Sequence, residues 1–554
     1  MRVFDVQAGL IKDYSAFTDS LVQVRNERIA AHLADEREQK VRWPDPWISL
    51  NPTFAPGGTV DELVRNGLLQ PDCARFFRPK QAEDDPGRRS LTLYQHQREA
   101  IETARGDGSY VLTTGTGSGK SLSYIVPIVD AILEQPRHDR ISAIVVYPMN
   151  ALANSQLHEL TKYLSWGIPQ ADRKVTFARY TGQESAADRD RVFQQRPDIL
   201  LTNYVMLEYL LTRPHERQVL IGAAQGLRFL VLDELHTYRG RQGADVALLV
   251  RRLREACDAP KMKCVGTSAT MATARTFAEA QVEVSQVASR LFGVGVKPGA
   301  VIGETLQRAT DARTPTDAEL DKAVALAVER GRTGDALGRS YGELASDPLA
   351  IWVEDVFGLD TDPSDGRLKR RTPTTLPLAA AKLAGRTGRA EEECADAISA
   401  MLAEGAAARH PETERPLFAF RLHQFLTKGD TVYVSLEPPE TRRITSQYQV
   451  SVPGKRDWPL LPLAFCRECG QEYLEVTRVT DGDGVRYLAR TGPAPDKEGA
   501  EPGYLYLGSA DDPDSAWPDD PLAAGRVPDT WLDPSSAAKP KILPRLVEHL
   551  PQTT

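Results

Sequence analysis

A run of small residues that ends in lysine and serine stands out in the chain. It reads TGTGSGKS over residues 114–121, follows the apolar letters SYVL and precedes the helical pattern LSYIVPIVDAIL. Small residues let backbone N–H groups approach phosphate oxygens, and the start of the following helix adds positive potential. The run therefore predicts a phosphate-binding loop in which Lys120 reaches the β- and γ-phosphates and Ser121 ligates Mg²⁺. The expected nucleotide contacts are Thr114, Gly115, Thr116, Gly117, Ser118, Gly119, Lys120 and Ser121.

An acidic pair at the end of another apolar run supplies the second half of such a site. The letters LRFLVLDELH place Asp233 and Glu234 directly after an expected buried strand. An aspartate in this place holds Mg²⁺ through water, and the adjacent glutamate orients and deprotonates the attacking water. We therefore predict Lys120, Asp233 and Glu234 as catalytic residues, with Mg²⁺ held by Ser121 and Asp233.

Both motifs lie in a segment where short apolar runs alternate with helical patterns. Residues 89–295 contain SYVLTTG, ISAIVVYP, PDILLTN, LRFLVLDE and KCVGTSAT, all rich in Val, Ile or Leu. Apolar runs separated by helices are typical of buried parallel strands. The segment is therefore predicted to be one doubly wound α/β domain.

The remaining sequence divides into four regions. Residues 1–88 mix helical patterns with a Pro- and Trp-rich passage, which favours an N-terminal lead-in packed on the α/β domain. Residues 296–425 are Ala-rich and helical, and residues 426–490 hold short β-like pieces. Residues 491–554 are dense in Pro, Asp and Gly and are predicted to be rich in loops.

The composition excludes several classes of protein. With 41% hydrophobic and 26% charged residues the chain resembles ordinary globular proteins, and it has neither a membrane-length apolar run nor a recognisable signal peptide. Six cysteines do not make a disulfide framework. We expect a cytoplasmic protein without membrane partners. The net charge of −8 decides nothing about nucleic acid, because a basic groove can lie on an acidic protein.

Taken in order, the motifs resemble the first motor lobe of superfamily 2 helicases of the DEAD/DEAH type. YQHQREAI supplies Gln97 at the position of the adenine-reading glutamine, while TGTGSGKS and DELH match motifs I and II. The resemblance implies that residues 89–295 form a RecA-like domain that binds ATP and Mg²⁺. TSAT matches motif III, which couples hydrolysis to movement, so the implied coupling residues are His236, Ser268, Ala269 and Thr270.

Three further motifs resemble those that hold a nucleic-acid strand in this family. They are YPMNALANSQ for motif Ia, YTG for motif Ib and LLTNYVML for motif Ic. In the family these segments bind phosphates through backbone amides and hydroxyls, which fixes position without reading sequence. The resemblance implies a nucleic-acid partner, and we expect single-stranded DNA or a DNA junction. The implied contact residues are Pro148, Asn150, Gln156, Thr181, Gly182, Thr202 and Asn203.

The resemblance narrows to one group of bacterial helicases. DELHTYRGRQGADVALLVRRLR and SRLFGVGVKPGAVIGETL are similar to the YprA/MrfA repair group and to large helicases of phage-defence clusters. There a helical, cysteine-containing insertion separates the two motor lobes, and LPLAFCRECGQEYLEV resembles the second half of its zinc ribbon. A structural zinc site needs four ligands, yet residues 425–465 contain neither Cys nor His. Zinc at Cys466 and Cys469 is therefore not favoured, and residues 426–490 are expected to be a degenerate ribbon.

The letters LAGRTGRA, residues 383–390, resemble motif VI, the arginine-bearing motif of a second motor lobe. Residues 271–382 offer almost no strand-like run, SRLFGVGV being the nearest candidate, and no segment there resembles motif V. The surrounding sequence instead predicts a helix, a turn at residues 385–388 and a second helix. This pattern, followed by β-like pieces, favours a winged-helix-like unit whose turn, with Arg386 and Arg389, either contacts DNA or spaces the lobes. The side chains expected on the buried faces are Leu378, Leu383, Ile398 and Leu402.

The leading hypothesis is the N-terminal portion of an ATP-dependent DNA helicase or translocase that acts in phage defence or DNA repair. A second RecA-like lobe is expected in a missing C-terminal part or in a partner protein, so the chain alone should hydrolyse ATP weakly. One alternative is an ATP-binding subunit of a split complex that binds nucleic acid or a partner without helicase activity. Another is a double-strand translocase within a restriction-like complex.

Overall fold

The computed structural model describes most of the chain. Thr116, Arg239, Thr270 and Cys469 are among the residues outside the described part. The described residues are 3–20, 24–115, 117–238, 240–269, 276–333, 339–363, 365–411, 413–427, 431–438, 441–467, 470–481, 484–490, 500–507, 520–523, 527, 529–536 and 541–547.

The first region consists of helices and short strands that border the rest of the chain. Its third helix begins with a capping box, because the Thr59 hydroxyl accepts the Glu62 N–H while the Glu62 carboxylate accepts the Thr59 N–H. The elements are α1 (Val3–Ser20), α2 (Glu27–Glu38), β1 (Trp47–Leu50), β2 (Thr53–Phe54), β3 (Pro56–Thr59), α3 (Val60–Arg65) and α4 (Cys73–Phe76).

The second region alternates strands with helices, as its apolar runs predict. Its elements are β4 (Thr92–Tyr94), α5 (Gln95–Arg105), β5 (Tyr110–Thr113), α6 (Leu122–Glu134), β6 (Ala143–Tyr147), α7 (Asn150–Leu164), β7 (Phe177–Arg179), α8 (Ala186–Gln195), β8 (Ile199–Asn203), α9 (Tyr204–Thr212), α10 (Pro214–Glu216), β9 (Phe229–Leu232), α11 (Gly240–Ala256), β10 (Lys263–Ser268), α12 (Phe277–Phe292) and β11 (Val301–Gly303).

Seven strands of this region form a parallel sheet in the order β11-β5-β10-β9-β6-β8-β7. Its strands are buried on both faces: Leu230 and Leu232 of β9 pack into one apolar cluster, Phe229 and Val231 into another. Each such side chain stabilises the fold by about 1.5–3 kcal/mol. The predicted doubly wound α/β domain is confirmed, and the edge strand β11 extends its sheet beyond residue 295.

The third region is mainly helical and ends in a strand that returns to the start of the chain. Strands β15 and β16 pair with β1 on its two sides to give an antiparallel three-stranded sheet. The elements are β12 (Leu306–Gln307), α13 (Asp317–Thr333), α14 (Tyr341–Ala345), α15 (Pro348–Phe357), β13 (Leu359–Thr361), β14 (Leu368–Arg370), β15 (Thr374–Thr375), α16 (Leu376–Thr387), α17 (Glu391–Ala407) and β16 (Phe420–His423).

Helices α16 and α17 are the two helices predicted around LAGRTGRA. Helix α16 continues to Thr387, and the turn begins at Gly388, whose φ of +73° is a left-handed conformation suited to glycine. The prediction that Leu378 is buried was wrong, since it is 54% exposed. Thr375 caps the helix, and this start directs the small residues Ala379 and Ala380 to the core instead. Leu383, Ile398 and Leu402 are buried as predicted.

The fourth region is rich in antiparallel strands, and Ile29 of α2 packs into its apolar cluster. Within the described residues, no helix combines the length and apolar character needed to cross a bilayer. The elements of this region and of the tail are β17 (Tyr433–Val434), β18 (Ile444–Thr445), β19 (Ser451–Val452), β20 (Lys455–Pro459), β21 (Leu461–Phe465), β22 (Glu472–Asp481), β23 (Gly484–Ala489), β24 (Ala500–Leu505) and α18 (Pro544–Val547).

A buried carboxylate joins the helical region to the segment that leaves the parallel sheet. Glu354 of α15 is 3% exposed. It accepts hydrogen bonds from the Ala309 N–H at 2.8 Å and the Thr310 N–H at 3.1 Å, and from the Thr310 hydroxyl. Arg308 lies 3.7 Å away and balances its charge. These contacts satisfy a group that would be costly to bury alone.

Replacing this carboxylate should therefore destabilise the helical region. We expect Glu354→Ala to lower the free energy of unfolding by about 1–3 kcal/mol, because it leaves buried donors without an acceptor. Urea unfolding followed by circular dichroism measures the loss. Asp355→Ala is the matched control: this neighbour pairs with Arg308 but is more exposed, so we expect a loss below about 1 kcal/mol. Equal losses in the two variants would contradict the role assigned to Glu354.

Candidate nucleotide-binding site

The predicted phosphate loop joins the carboxyl end of β5 to the start of α6. Gly117 and Gly119 have φ angles of +81° and +67°, which side chains other than glycine rarely adopt. A Cβ on Gly119 would lie 2.7 Å from Nε2 of Gln97. Inside the loop, the hydroxyls of Thr114 and Ser118 are hydrogen-bonded at 2.7 Å. The two glycines therefore give the predicted phosphate loop a left-handed backbone conformation that other residues rarely adopt.

The buried side chain of Lys120 gives the main evidence that the loop binds an anion. Its Nζ atom is buried and has no hydrogen-bond acceptor among the described residues. The nearest charge is the Glu234 carboxylate, with Oε1 at 3.5 Å from Nζ. A buried ammonium whose donors are unused is costly unless an anion meets them. The loop therefore fits a phosphate chain, and Ser121, the predicted metal ligand, lies directly before α6.

The acidic pair follows β9, two strands across the sheet from β5. The Thr267 hydroxyl donates a hydrogen bond to Asp233 Oδ1 and accepts one from the Glu234 N–H at 3.1 Å. Burial raises the pKa of Asp233 above its ordinary value, and the neighbouring charge of Glu234 adds to this effect, while Thr267 and Lys120 oppose it. A threonine of β10 thus fixes both acids, a function the sequence had not assigned to Thr267.

Glu234 itself lies in a strained backbone conformation. Its φ of +54° is left-handed, which is uncommon for a residue other than glycine and concentrates at functional sites. Its Oε2 atom lies 3.3 Å from Nδ1 of His236, and the same ring nitrogen lies 3.2 Å from the Ser268 hydroxyl. Of the predicted coupling residues, His236 and Ser268 are therefore in contact. Ala269 follows at the end of β10, and Thr270 lies outside the described residues.

The first turn of α5 supports the loop. Gln97 donates from Nε2 to the Gly119 carbonyl at 2.8 Å, and its Oε1 accepts the Tyr94 N–H at 2.8 Å. The fully buried His96 contacts the Ser118 carbonyl through Nε2 at 2.9 Å. The Nε2 end of Gln97, predicted to read adenine, thus joins α5 to the loop, while its Oε1 caps the first turn of α5. His96 was missed, although its place beside Gln97 in YQHQ was a usable signal.

Residues predicted to contact nucleic acid meet at the carboxyl ends of β6 and β8. The Asn203 side chain donates to Asn150 Oδ1 at 2.7 Å and to the Thr181 carbonyl at 3.1 Å. Thr202 is buried and donates to the Tyr180 carbonyl at 2.7 Å. Gly182 donates its N–H to Glu184 at 2.8 Å. Pro148 lies just after β6, whereas Gln156 lies more than one turn into α7.

Arg386 and Arg389 are held by the helical region itself. Arg386 Nε lies 2.7 Å from Asp317 and Arg389 Nε lies 2.6 Å from Asp321, both in α13. Arg386 also donates to the Pro315 carbonyl at 2.8 Å. These contacts tie the turn between α16 and α17 to a neighbouring helix.

The zinc prediction concerns a part of the chain that the structure describes incompletely. Cys466 is partly buried and Cys469 lies outside the described residues. In the described ranges no three His, Cys, Asp or Glu side chains are grouped to hold a metal. The expectation of a degenerate, metal-free ribbon stays a prediction.

The ends of neighbouring parallel strands bring together the phosphate loop, the acidic pair and Thr267, which hydrogen-bonds to both acids. This arrangement defines the nucleotide-binding lobe of a RecA-like motor. Residues 94–277 match the family model described as DEAD/DEAH box helicase. The chain therefore contains a DEAD/DEAH box helicase domain, and the predicted resemblance to superfamily 2 helicases is confirmed.

Curated relatives extend this similarity. Druantia protein DruE of Escherichia coli is 26% identical over 53% of this chain and 22% of its own length. The uncharacterized ATP-dependent helicase YprA of Bacillus subtilis is 33% identical over 34% of this chain and 24% of its own. A crystal structure of DUF1998 helicase MrfA bound to DNA is 26% identical over 43% of this chain and 32% of that chain, with a TM-score of 0.32. The chain thus spans under a quarter of the length of these two curated relatives.

The buried histidine behind the loop should give the fold a defined pH dependence. Burial lowers the pKa of His96 below its ordinary value of 6.5, with the Ser118 carbonyl and the Glu304 carboxylate opposing the shift. Between the lowered folded-state pKa and 6.5, the unfolded state binds more protons at this group than the folded state. The contribution of His96 to the free energy of unfolding is therefore fully present above pH 6.5 and is lost as the pH falls from 6.5 through the lowered folded-state pKa.

A variant without a titratable side chain at position 96 should lose less stability as the pH falls. We expect nucleotide-free His96→Gln, which keeps a donor for the Ser118 carbonyl, to be less sensitive than the parent between about pH 7.5 and about pH 5. The measurement is urea unfolding at several pH values. Parallel pH profiles for the two proteins would show that His96 does not titrate with a lowered pKa.

Proposed function

We propose that the chain is the nucleotide-binding motor lobe of an ATP-dependent DNA helicase or translocase. The observation that carries the proposal is the buried Lys120 ammonium, which has no hydrogen-bond acceptor in the described residues and lies in a phosphate loop beside Glu234. Two relatives described as ATP-dependent helicases, YprA and the Lhr-Core protein of Saccharolobus solfataricus, support it. A function in phage defence or DNA repair rests on the resemblance alone.

The loop and the acids divide the chemistry of hydrolysis between them. Lys120 and the amides of the loop balance the negative charge of the β- and γ-phosphates. Ser121 and Asp233 would hold Mg²⁺, which neutralises charge on the transferred phosphoryl group. Glu234 accepts the proton of the attacking water, and its contact with His236 limits the orientations of its carboxylate.

A second set of contacts connects hydrolysis with movement. Thr267 and Ser268 end β10, and they contact Asp233 and His236 respectively. A change at the acidic pair therefore reaches the end of β10 through two side-chain contacts. The segment directly after Ala269 lies outside the described residues.

The strand-end cluster around Asn203 is the proposed nucleic-acid contact, with single-stranded DNA as the ligand. Asn203 holds Asn150 and Thr181 in place at the strand ends, and the side-chain amide of Asn150 is the group proposed to contact backbone phosphates. Such contacts bind the backbone of any sequence. This fits a motor that must move along its substrate.

We further propose that a second RecA-like lobe completes the site, supplied by further sequence or by a partner protein. Among the described residues, the sheet that contains β5 is the only one with parallel strands. Arginines that stabilise transition-state charge are typically worth about 10³–10⁵ in rate. The chain alone is therefore proposed to bind ATP and hydrolyse it weakly.

Two substitutions separate binding from hydrolysis. We expect Lys120→Ala to weaken the affinity for Mg²⁺–ATP by about 100-fold, because it removes a buried cation from the phosphates. Glu234→Gln should keep the affinity within about twofold but lower turnover by about 100-fold or more, because it removes the base. Fluorescence titration and a phosphate-release assay with single-stranded DNA measure the two effects.

The matched control for these variants is Lys261→Ala, which removes an exposed lysine from the same lobe. It should bind and hydrolyse ATP as the parent does. Unchanged ATP affinity in Lys120→Ala would overturn the proposed function.

The turn that resembles motif VI provides an independent test. Because Arg389 is held by Asp321 on α13, we expect Arg389→Ala to leave ATP turnover within about twofold of the parent. It should cost less than about 1 kcal/mol of stability, since the ion pair is partly exposed. A fall in turnover of about 10³ would identify Arg389 as the arginine of a complete motor.

A further inference from the structure

Three polar side chains from outside the parallel-sheet lobe approach the phosphate loop. A Cβ placed on Gly117 would lie 3.9 Å from Nη2 of Arg421 and 3.9 Å from Nδ2 of Asn51. One placed on Gly115 would lie 2.7 Å from Nη2 of Arg370. Asn51 follows β1, Arg370 ends β14 and Arg421 lies in β16. The first half of the loop thus borders groups that the loop's own domain does not supply.

Arg370 is fully engaged where it lies. Its Nε and Nη2 atoms contact the Glu304 carboxylate at 2.6 and 3.0 Å, and its Nη1 donates to Asn51 Oδ1 at 3.1 Å. Glu304 in turn accepts the Gly115 N–H at 3.0 Å. Arg370 therefore neutralises a carboxylate that would otherwise repel an anion, and Glu304 anchors the start of the loop.

Arg421 differs because its guanidinium is exposed and has no ion pair or hydrogen bond among the described residues. Its backbone is nevertheless well fixed, since β16 pairs with β1 and places Arg421 opposite Ser49. The adjacent Phe420 stacks on Phe4 with ring centroids 5.9 Å apart. A rigid strand therefore holds an unpaired cation beside the loop.

Two cations with unused donors consequently border the same loop, Lys120 from within and Arg421 from outside. Lys120 lies close to the start of α6, where it and the loop amides are the proposed partners of the β- and γ-phosphates on one side of the loop. Arg421 borders Gly117, nearer the beginning of the loop. A planar guanidinium suits the oxygens of a terminal phosphate, which it binds through paired donors.

We propose that Arg421, with Asn51 beside it, binds the terminal phosphate of ATP and makes the loop favour ATP over ADP. The inference rests on the proposed function, because it assigns a further contact to the same nucleotide. It assigns nucleotide sensing to the sheet β15-β1-β16, which combines one strand of the first region with two strands of the helical region.

The test compares the affinities of two nucleotides. Isothermal titration with Mg²⁺ and either a non-hydrolysable ATP analogue or ADP gives both dissociation constants. We expect Arg421→Ala to weaken analogue binding by about tenfold or more and ADP binding by less than about twofold. Arg421→Lys should fall between, because lysine keeps the charge without the paired donors.

Arg409→Ala is the matched control, since it removes another exposed arginine of the helical region and should change neither affinity. Equal affinities for parent and Arg421→Ala, or equal losses for both nucleotides, would overturn the inference while leaving the proposed function intact. A parent protein that binds neither nucleotide would overturn both. Urea unfolding of each variant establishes that the fold is retained, which the exposed position of Arg421 leads us to expect.

Discussion

The parallel pairing of β5, β10 and β9 is the constraint on which the site depends. Parallel strands end at one edge of a sheet, so the loop after β5, the acids after β9 and the Thr267–Ser268 pair of β10 must meet there. Gly266 of β10 permits the close approach, because a Cβ there would lie 2.2 Å from Leu235 in the turn that carries the acids. Loss of this register would separate Lys120 from Glu234.

The helical region depends on the first region of the chain for the completion of its own sheet. Strand β1 lies between β15 and β16, so the start of the chain completes a sheet that the third region cannot close alone. The residue after β1, Asn51, then meets Arg370 at the phosphate loop. Folding of the first and third regions is consequently coupled to the geometry of the loop. This coupling places a segment distant in sequence beside the phosphate loop.

The sequence predicted the parts of the site that are local in the chain. A phosphate loop is a strand, a turn and a helix in succession, so Lys120 could be assigned from adjacent letters. The pairing of β1 with β16 joins residues far apart with no shared periodicity, and neither Arg370 nor Arg421 carries a motif. Leu378 was misassigned because the phase of a short helix depends on its start, which Thr375 sets. Long-range contacts are therefore what one sequence alone left undetermined.

The strained backbone at Glu234 has a physical reason on the proposed function. Its two carboxylate oxygens lie 3.5 Å from Lys120 and 3.3 Å from His236, so without a phosphate the ammonium competes for the proposed base. Phosphates that engage Lys120 weaken that pairing and leave the carboxylate to water and His236. The left-handed turn keeps the oxygens near both partners, so on the proposed function the orientation of the base depends on whether phosphates occupy the loop.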